Sequence, residues 1–134
     1  LFRSRKKKSF KQITQMQRKK TGQLFKFCCY APCLIANRSI SEKKNMSKLG
    51  EDIGLLFQLA DDFLDIKGSK KKVGKSLNKD NKKGKSTLIK LIGYNKAILY
   101  AENLKTNILR RLRKYGKKAN DLTETINFIL ERNI

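Results

Sequence analysis

Three aspartates near the middle of the chain have the clearest potential for chemistry. Asp61, Asp62 and Asp65 lie within five residues, and Asp61 and Asp65 share one helical face with Gln58. Carboxylates this close repel one another unless a cation or solvent stabilises them. Mg²⁺ suits such a cluster, because it binds one or two carboxylates together with substrate phosphates. From spacing alone, an acidic helix end in solvent is an equally good interpretation.

A lysine-rich segment follows these aspartates. Residues 67–85 contain nine Lys and interspersed glycines, a composition that predicts a loop. Lys75, Asp80 and Lys85 are spaced by five residues within it. Ammonium groups that face a metal-binding acidic cluster would neutralise diphosphate oxygens, so the combination favours a phosphorylated substrate. Gly-Lys-Ser-Thr at 84–87 is not a P-loop, because the earlier glycine and the preceding strand are lacking.

The composition excludes several classes of site. With 33 Lys and Arg against 11 Asp and Glu, the net charge is +22, and there is no His. A Ser–His–Asp hydrolase, a Cys–His protease and a His-ligated metal are therefore excluded. Three interpretations of the charge stay open: general lysine enrichment, a polyanion-binding surface, and small phosphorylated ligands. The cysteines, Cys28, Cys29 and Cys33, do not form the two separated pairs of a zinc site and are predicted to be buried thiols.

The length of 134 residues predicts one domain, with a basic leader over residues 1–9 that frays. The longest uncharged run, 27–37, is about half of the roughly 20 residues that a membrane-spanning helix needs. No signal-peptide pattern is present, so we expect a soluble, cytoplasmic protein without a membrane span. The chain begins with Leu, which suggests that an N-terminal part is missing.

Apolar spacing predicts an all-α fold around one central helix. Two apolar stripes run along this helix, which is typical of a buried element. Its end is predicted at Gly68, and Asp52 is expected near its start, where the charge would merely favour the helix dipole. The stripes consist of Leu49, Ile53, Phe57, Ala60 and Leu64 on one side and of Leu55, Leu59 and Phe63 on the other.

The flanking segments are also predicted to be helical. A helix from Phe10 should kink or end at Pro32, and residues 37–45 look like a connection. A helix with a stripe from Ala97 to Tyr115 should end at Gly116. Asp121 and Glu124 suit a capping box for a last helix. The inward face of that last helix would be Leu122, Ile126, Ile129 and Leu130.

The order of the motifs resembles the polyprenyl synthetase family, the trans-isoprenyl diphosphate synthases that include farnesyl and geranylgeranyl diphosphate synthases. The string Phe-Gln-x-x-Asp-Asp-x-x-Asp at 57–65 is similar to the second aspartate-rich motif of that family. The resemblance covers nearly the whole chain but only the C-terminal half of the family's helical bundle. The first aspartate-rich motif and the isopentenyl diphosphate site are expected in the half that is absent. The other matching motifs are Lys20-Thr21-Gly22, Gly74-Lys75, Asp80 and Gly84-Lys85-Ser86-Thr87.

The resemblance implies Mg²⁺-dependent head-to-tail condensation of an allylic diphosphate with isopentenyl diphosphate. Asp61 and Asp65 would hold Mg²⁺, Asp62 would support them, and Asp80 would act through water. Thr21 and Gln58 would position the allylic end, with Thr21 placed to meet the cation. The diphosphate would be contacted by Lys20, Lys75 and Lys85.

Three hypotheses follow for the protein as a whole. In the first, the chain belongs to a homodimeric prenyltransferase that acts only when complete and does not bind nucleic acid. In the second, the chain is a split or non-catalytic subunit that works with another polypeptide. In the third, it is a basic nucleic-acid-binding protein that keeps a decayed site.

Overall fold

The computed structural model describes residues 8–73 and 87–131, and this part of the chain contains helices and no strand. The prediction of an all-α fold is therefore confirmed. Most of the basic leader lies outside the described residues, as do Lys75, Asp80 and Lys85. The elements are α1 (Phe10–Gln17), a π-helical segment (Arg18–Gly22), α2 (Gln23–Ile35), α3 (Ile40–Val73), α4 (Leu88–Ile92), α5 (Tyr94–Leu112), a 3₁₀ segment (Arg113–Ala119) and α6 (Asn120–Glu131).

Helix α3 is the centre of the fold. It has 34 residues, which corresponds to about 51 Å of helix, and the other helices pack around it. Its two apolar sides are both used, as predicted. Ile53 and Ala60 of one stripe are buried, and so are Leu55 and Phe63 of the other. The prediction fails at Leu64, which is 37% exposed near the aspartates.

The bounds of α3 differ from the prediction at both ends. The helix begins at Ile40, where the Ser39 hydroxyl accepts a hydrogen bond from the backbone N–H of Glu42 at 3.2 Å. Most of the expected connection at 37–45 is therefore helical. At the other end α3 continues through Gly68 to Val73. A glycine inside a helix costs only about 1 kcal/mol relative to alanine, too little to end a long packed helix.

Helix α2 contains Pro32 and continues for three residues beyond it. The backbone N–H of Ala36 then donates to the Pro32 carbonyl at 2.9 Å, which closes the last turn. The cysteines of α2 are only partly buried, contrary to the prediction. Cys33 is buried, Cys29 is half-buried and Cys28 is exposed.

Two glycines with positive φ separate the C-terminal helices. Gly93 (φ 86°) stands between α4 and α5, and Gly116 (φ 55°) interrupts the 3₁₀ segment. A side chain would be strained at both positions. The predicted inward face of α6 is confirmed, with Leu122 partly buried and Ile126 fully buried, but Asp121 lies in the first turn rather than at the cap. This difference arises because the 3₁₀ segment leads directly into α6.

No helix in the described part of the chain combines the length and the apolar character that crossing a bilayer requires.

Candidate functional site

The three aspartates of α3 do not point the same way. Asp61 and Asp65 are exposed, whereas Asp62 is buried, with 7% of its surface accessible. Successive residues of an α-helix are rotated by about 100°, so Asp62 turns towards α1 while its neighbours face solvent. The group splits into an exposed pair and one internal carboxylate.

The internal carboxylate of Asp62 accepts hydrogen bonds from two side-chain amides. Gln17 Nε2 donates to its Oδ2 at 3.1 Å, and Gln58 Nε2 donates to its Oδ1 at 3.2 Å. Buried polar groups require such partners. The contacts connect the end of α1 to the middle of α3 and fix the direction of the Gln58 amide.

Gln58 extends this chain of hydrogen bonds to Thr21. The Thr21 hydroxyl donates to Gln58 Oε1 at 3.0 Å. Because its proton is used there, the half-buried hydroxyl oxygen keeps lone pairs for another partner. Asp62 thus orients Gln58, and Gln58 orients Thr21.

The backbones of α2 and α3 pack closely enough to bring Thr21 to Gln58. A Cβ at Gly54 would lie 2.6 Å from the Cα of Gly22, and one at Gly50 would lie 2.4 Å from the carbonyl oxygen of Phe25. Only glycine permits such an approach. Thr21 itself lies in the π-helical segment, a conformation that is frequent at functional sites.

The exposed pair provides oxygen ligands of the kind that Mg²⁺ prefers. Mg²⁺ takes one or two carboxylates and completes its coordination with water and substrate phosphates, so Asp61 and Asp65 fit it. No group of three or more His, Cys, Asp or Glu residues in the described ranges is close enough to hold a metal on its own. Asp62, which faces the two amides, does not share the exposed face of the pair. Lys20 is exposed in the π-helical segment next to Thr21.

Asp52 does not have the place that the sequence suggested. It lies twelve residues inside α3 and is 6% exposed. Three cations surround it, with Arg18 Nη1 at 2.5 Å, Lys48 Nζ at 3.0 Å and Arg111 Nη1 at 2.8 Å. Burial would raise the pKa of Asp52, but hydrogen bonds from Arg18 and Lys48 outweigh it and hold the pKa below its usual value. This cluster joins the π-helical segment, α3 and α5.

Gln17 is the contributor that the sequence analysis missed. It is 6% exposed, and its Oε1 has no hydrogen-bond partner among the residues that the structure describes. The only sequence indication that Gln17 belongs to the site was its position four residues before Thr21, about one helical turn away. The sequence analysis also did not predict the burial of Asp62, although a helical stripe through Leu55 and Leu59 leads to it.

Comparison with known proteins gives the family and the fold of this chain. A family model described as polyprenyl synthetase matches residues 1–129. A farnesyl diphosphate synthase from Micrococcus luteus is 29% identical over 85% of this chain, and geranylgeranyl pyrophosphate synthase 4 from Arabidopsis thaliana is 34% identical over 85%. The solved apo structure of an FPP/GFPP synthase from Zymomonas mobilis superposes with a TM-score of 0.77 at 29% identity over 95% of this chain.

The described residues have the all-α fold of that solved structure. The chain belongs to the polyprenyl synthetase family. It spans 39% of the length of the Micrococcus luteus enzyme, 31% of the Arabidopsis enzyme and 40% of the Zymomonas mobilis chain.

Proposed function

We propose that this chain supplies the allylic diphosphate-binding side of a prenyltransferase site. One observation carries the proposal. An ordered chain of hydrogen bonds runs from Gln17 through Asp62 and Gln58 to Thr21. Gln58 lies about one helical turn before Asp61, the first residue of the exposed pair. A helix that only presented acids to solvent would not need internal polar partners held in one orientation.

The roles of the residues follow from their charge and exposure. Asp61 and Asp65 would hold Mg²⁺, and Lys20 would contact the diphosphate beside it. When bound, Mg²⁺ neutralises charge on the diphosphate as it leaves the allylic carbon. Lys75, Lys85 and Asp80, which lie outside the described residues, are proposed from the motif to contribute two further ammonium groups and a carboxylate that acts through water.

Thr21 and Gln58 would act at the allylic end of the substrate. Because the Thr21 proton is directed to Gln58, a hydroxyl lone pair is available to a carbocation that forms after ionisation. Fixed dipoles that face developing charge are worth more than mobile water, since they need no reorganisation during the reaction. The double bond of isopentenyl diphosphate then attacks the cation, and loss of a proton gives a chain that is five carbons longer.

This complete reaction is proposed for the whole protein, in which two copies would form a homodimer. For the 134-residue chain alone we expect binding of an allylic diphosphate without condensation, because the motifs expected to bind isopentenyl diphosphate are not among its residues. Product formation by this chain alone at an ordinary enzymatic rate would contradict that expectation. Activity restored by a second polypeptide would support the split-subunit hypothesis.

The binding role can be tested with a matched pair of variants. Geranyl diphosphate is titrated into the chain by calorimetry with Mg²⁺ and with EDTA. Asp61→Asn should weaken the Mg²⁺-dependent binding at least about tenfold, since a metal ligand is lost. Asp121→Asn removes another exposed aspartate, on α6, and should leave the affinity within about twofold. Equal affinities in the two variants, or the absence of any component of the binding that requires Mg²⁺, would overturn the proposal.

A further inference from the structure

A cavity lies between α2 and the first part of α3. Its volume is about 620 Å³, within the range of small-molecule sites. Four lysines, one glutamate, a tyrosine, a serine and an isoleucine form its wall. These residues are Lys26, Tyr30, Ile40, Lys43, Lys44, Ser47, Lys48 and Glu51, and we call this cavity the lysine groove.

The positive charge of the lysine groove is only partly balanced. Lys26 pairs with Glu51 at 2.9 Å, and Lys48 pairs with Asp52 at 3.0 Å. Lys43 and Lys44 have no carboxylate within 4.0 Å among the described residues. These two lysines of the wall therefore carry positive charge that no described carboxylate balances. Hydroxyl groups of Tyr30 and Ser47 can add two more donors.

A ligand for such a wall must be an acceptor with several negative charges. Phosphate oxygens satisfy ammonium and hydroxyl donors at the same time. The Tyr30 ring and the 73% exposed Ile40 side chain offer apolar surface for an organic group attached to the phosphates. The volume leaves room for such a group beside a diphosphate.

The lysine groove is separate from the aspartate site. Glu51 is the last α3 residue in its wall, and Asp61 follows ten residues later, about 15 Å farther along the helix. No residue of the wall takes part in the hydrogen bonds that link Gln17, Asp62, Gln58 and Thr21. A ligand in the groove would not need Mg²⁺, since the ammonium groups are part of the protein.

We propose that the lysine groove is a second, Mg²⁺-independent binding site for a small molecule that carries a diphosphate. The diphosphate lies against Lys43 and Lys44, and the organic group lies against Tyr30 and Ile40. Nucleotides and prenyl diphosphates share this chemistry. The proposal does not depend on the role of Asp61 and Asp65.

The test is a titration in EDTA with inorganic diphosphate, ADP and geranyl diphosphate in separate arms. Each is followed by calorimetry and by ¹⁵N amide shifts. The double variant Lys43→Ala/Lys44→Ala should bind at least about tenfold more weakly, because two charge-assisted hydrogen bonds are lost. Lys117→Ala/Lys118→Ala removes the same charge from an exposed part of the 3₁₀ segment and should stay within about twofold. Whichever of ADP and geranyl diphosphate binds with the higher affinity identifies the class of ligand, nucleotide or prenyl diphosphate.

Amide shifts should concentrate at residues 26–30 and 40–51, and Asp61→Asn should leave the binding in EDTA unchanged. Equal losses in both lysine variants would mean general charge attraction and would overturn the proposal. Absence of binding in EDTA would do the same. The proposal would also be overturned if the double variant Lys43→Ala/Lys44→Ala no longer bound single-stranded RNA but still bound all three diphosphate ligands. Loss of Mg²⁺-dependent binding in Asp61→Asn tests the proposed function alone, so the two failures are distinguishable.

Discussion

Asp52 and Asp62 are both buried on α3, ten residues apart, but they meet different donors. The Asp52 carboxylate forms ion pairs with Arg18, Lys48 and Arg111, which come from three elements. Asp62 receives hydrogen bonds from the neutral amides of Gln17 and Gln58. The cations around Asp52 come from several elements and hold these elements together. A side-chain amide has a donor and an acceptor, so Gln58 can donate to Asp62 and also fix the direction of the Thr21 hydroxyl. The comparison shows that the charge of the donors, rather than burial, distinguishes the two carboxylates.

The largest effect should come from Asp52→Ala. Removal of this carboxylate leaves three cations facing one another, and breaking a buried ion pair costs about 3–5 kcal/mol. Because the cations are 22–54% exposed, we expect about 3 kcal/mol, near the lower end. Asp62→Ala should cost less, about 1–3 kcal/mol, since it leaves two amides unpaired. Urea unfolding followed by circular dichroism measures both, and equal losses would break the comparison.

The glycine contact should show the next largest effect. Gly54→Ala places a methyl group 2.6 Å from the Gly22 backbone, and the forced separation should cost about 1–3 kcal/mol. It should also displace Thr21 from Gln58. Gly68→Ala is the matched control, because no atom of the described residues lies within 4 Å of a Cβ added there, and it should stabilise α3 by about 0.4–1 kcal/mol. Thermal melting compares the two, and a melting temperature unchanged by Gly54→Ala would show that the helices can separate freely.

Acid should remove the contribution of Asp52. The pKa of Asp52 in the folded protein lies below its unfolded value of about 3.9, so its contribution is fully present above that value. It is lost as the pH falls through the folded pKa. The stability difference between the original chain and Asp52→Asn should therefore be constant near pH 7 and narrow below about pH 4. A difference that stays constant down to pH 2.5, measured by urea unfolding, would mean that Asp52 is not the titrating group.

The smallest stability effect should come from Asp61→Asn. This side chain is exposed and has no ion pair within 4.0 Å among the described residues, so unfolding should change by less than about 0.5 kcal/mol. The same variant should lose Mg²⁺-dependent binding. A loss of stability as large as that of Asp52→Ala would place Asp61 among the structural carboxylates.

Apolar periodicity made the buried faces of α3 and α6 predictable. The ends of the helices were less predictable, since Gly68 and Pro32 have local costs that the packing of long helices outweighs. Asp52 was misplaced because the polar residues 41–45 concealed the first turn of α3. Its position three residues after Leu49 and four before Leu56, on a buried stripe, was the available signal.

The sequence indicated which types of residue form the candidate site. It did not indicate which of these side chains are buried and which are exposed. The resemblance to the polyprenyl synthetase family predicted Thr21, Gln58 and the aspartates in one site, and the structure links Thr21, Gln58 and Asp62 by hydrogen bonds. The burial of Asp62 and the contact with Gln17 depend on the rotation of α1 against α3. That rotation is a tertiary property that no local pattern encodes.

The π-helical segment sets this rotation. A turn with hydrogen bonds from residue i to i+5 contains one residue more than a regular turn. Arg18–Gly22 therefore offsets the rotational phase of α1 from that of α2 by one residue, or about 100°. With this offset Ile13 and Gln17 face the core while Thr21 faces Gln58. In a chain one residue shorter at this point, α1 and α2 could continue as one regular helix. The additional residue of this turn therefore shifts by one position which residues of α2 continue the core-facing side of α1.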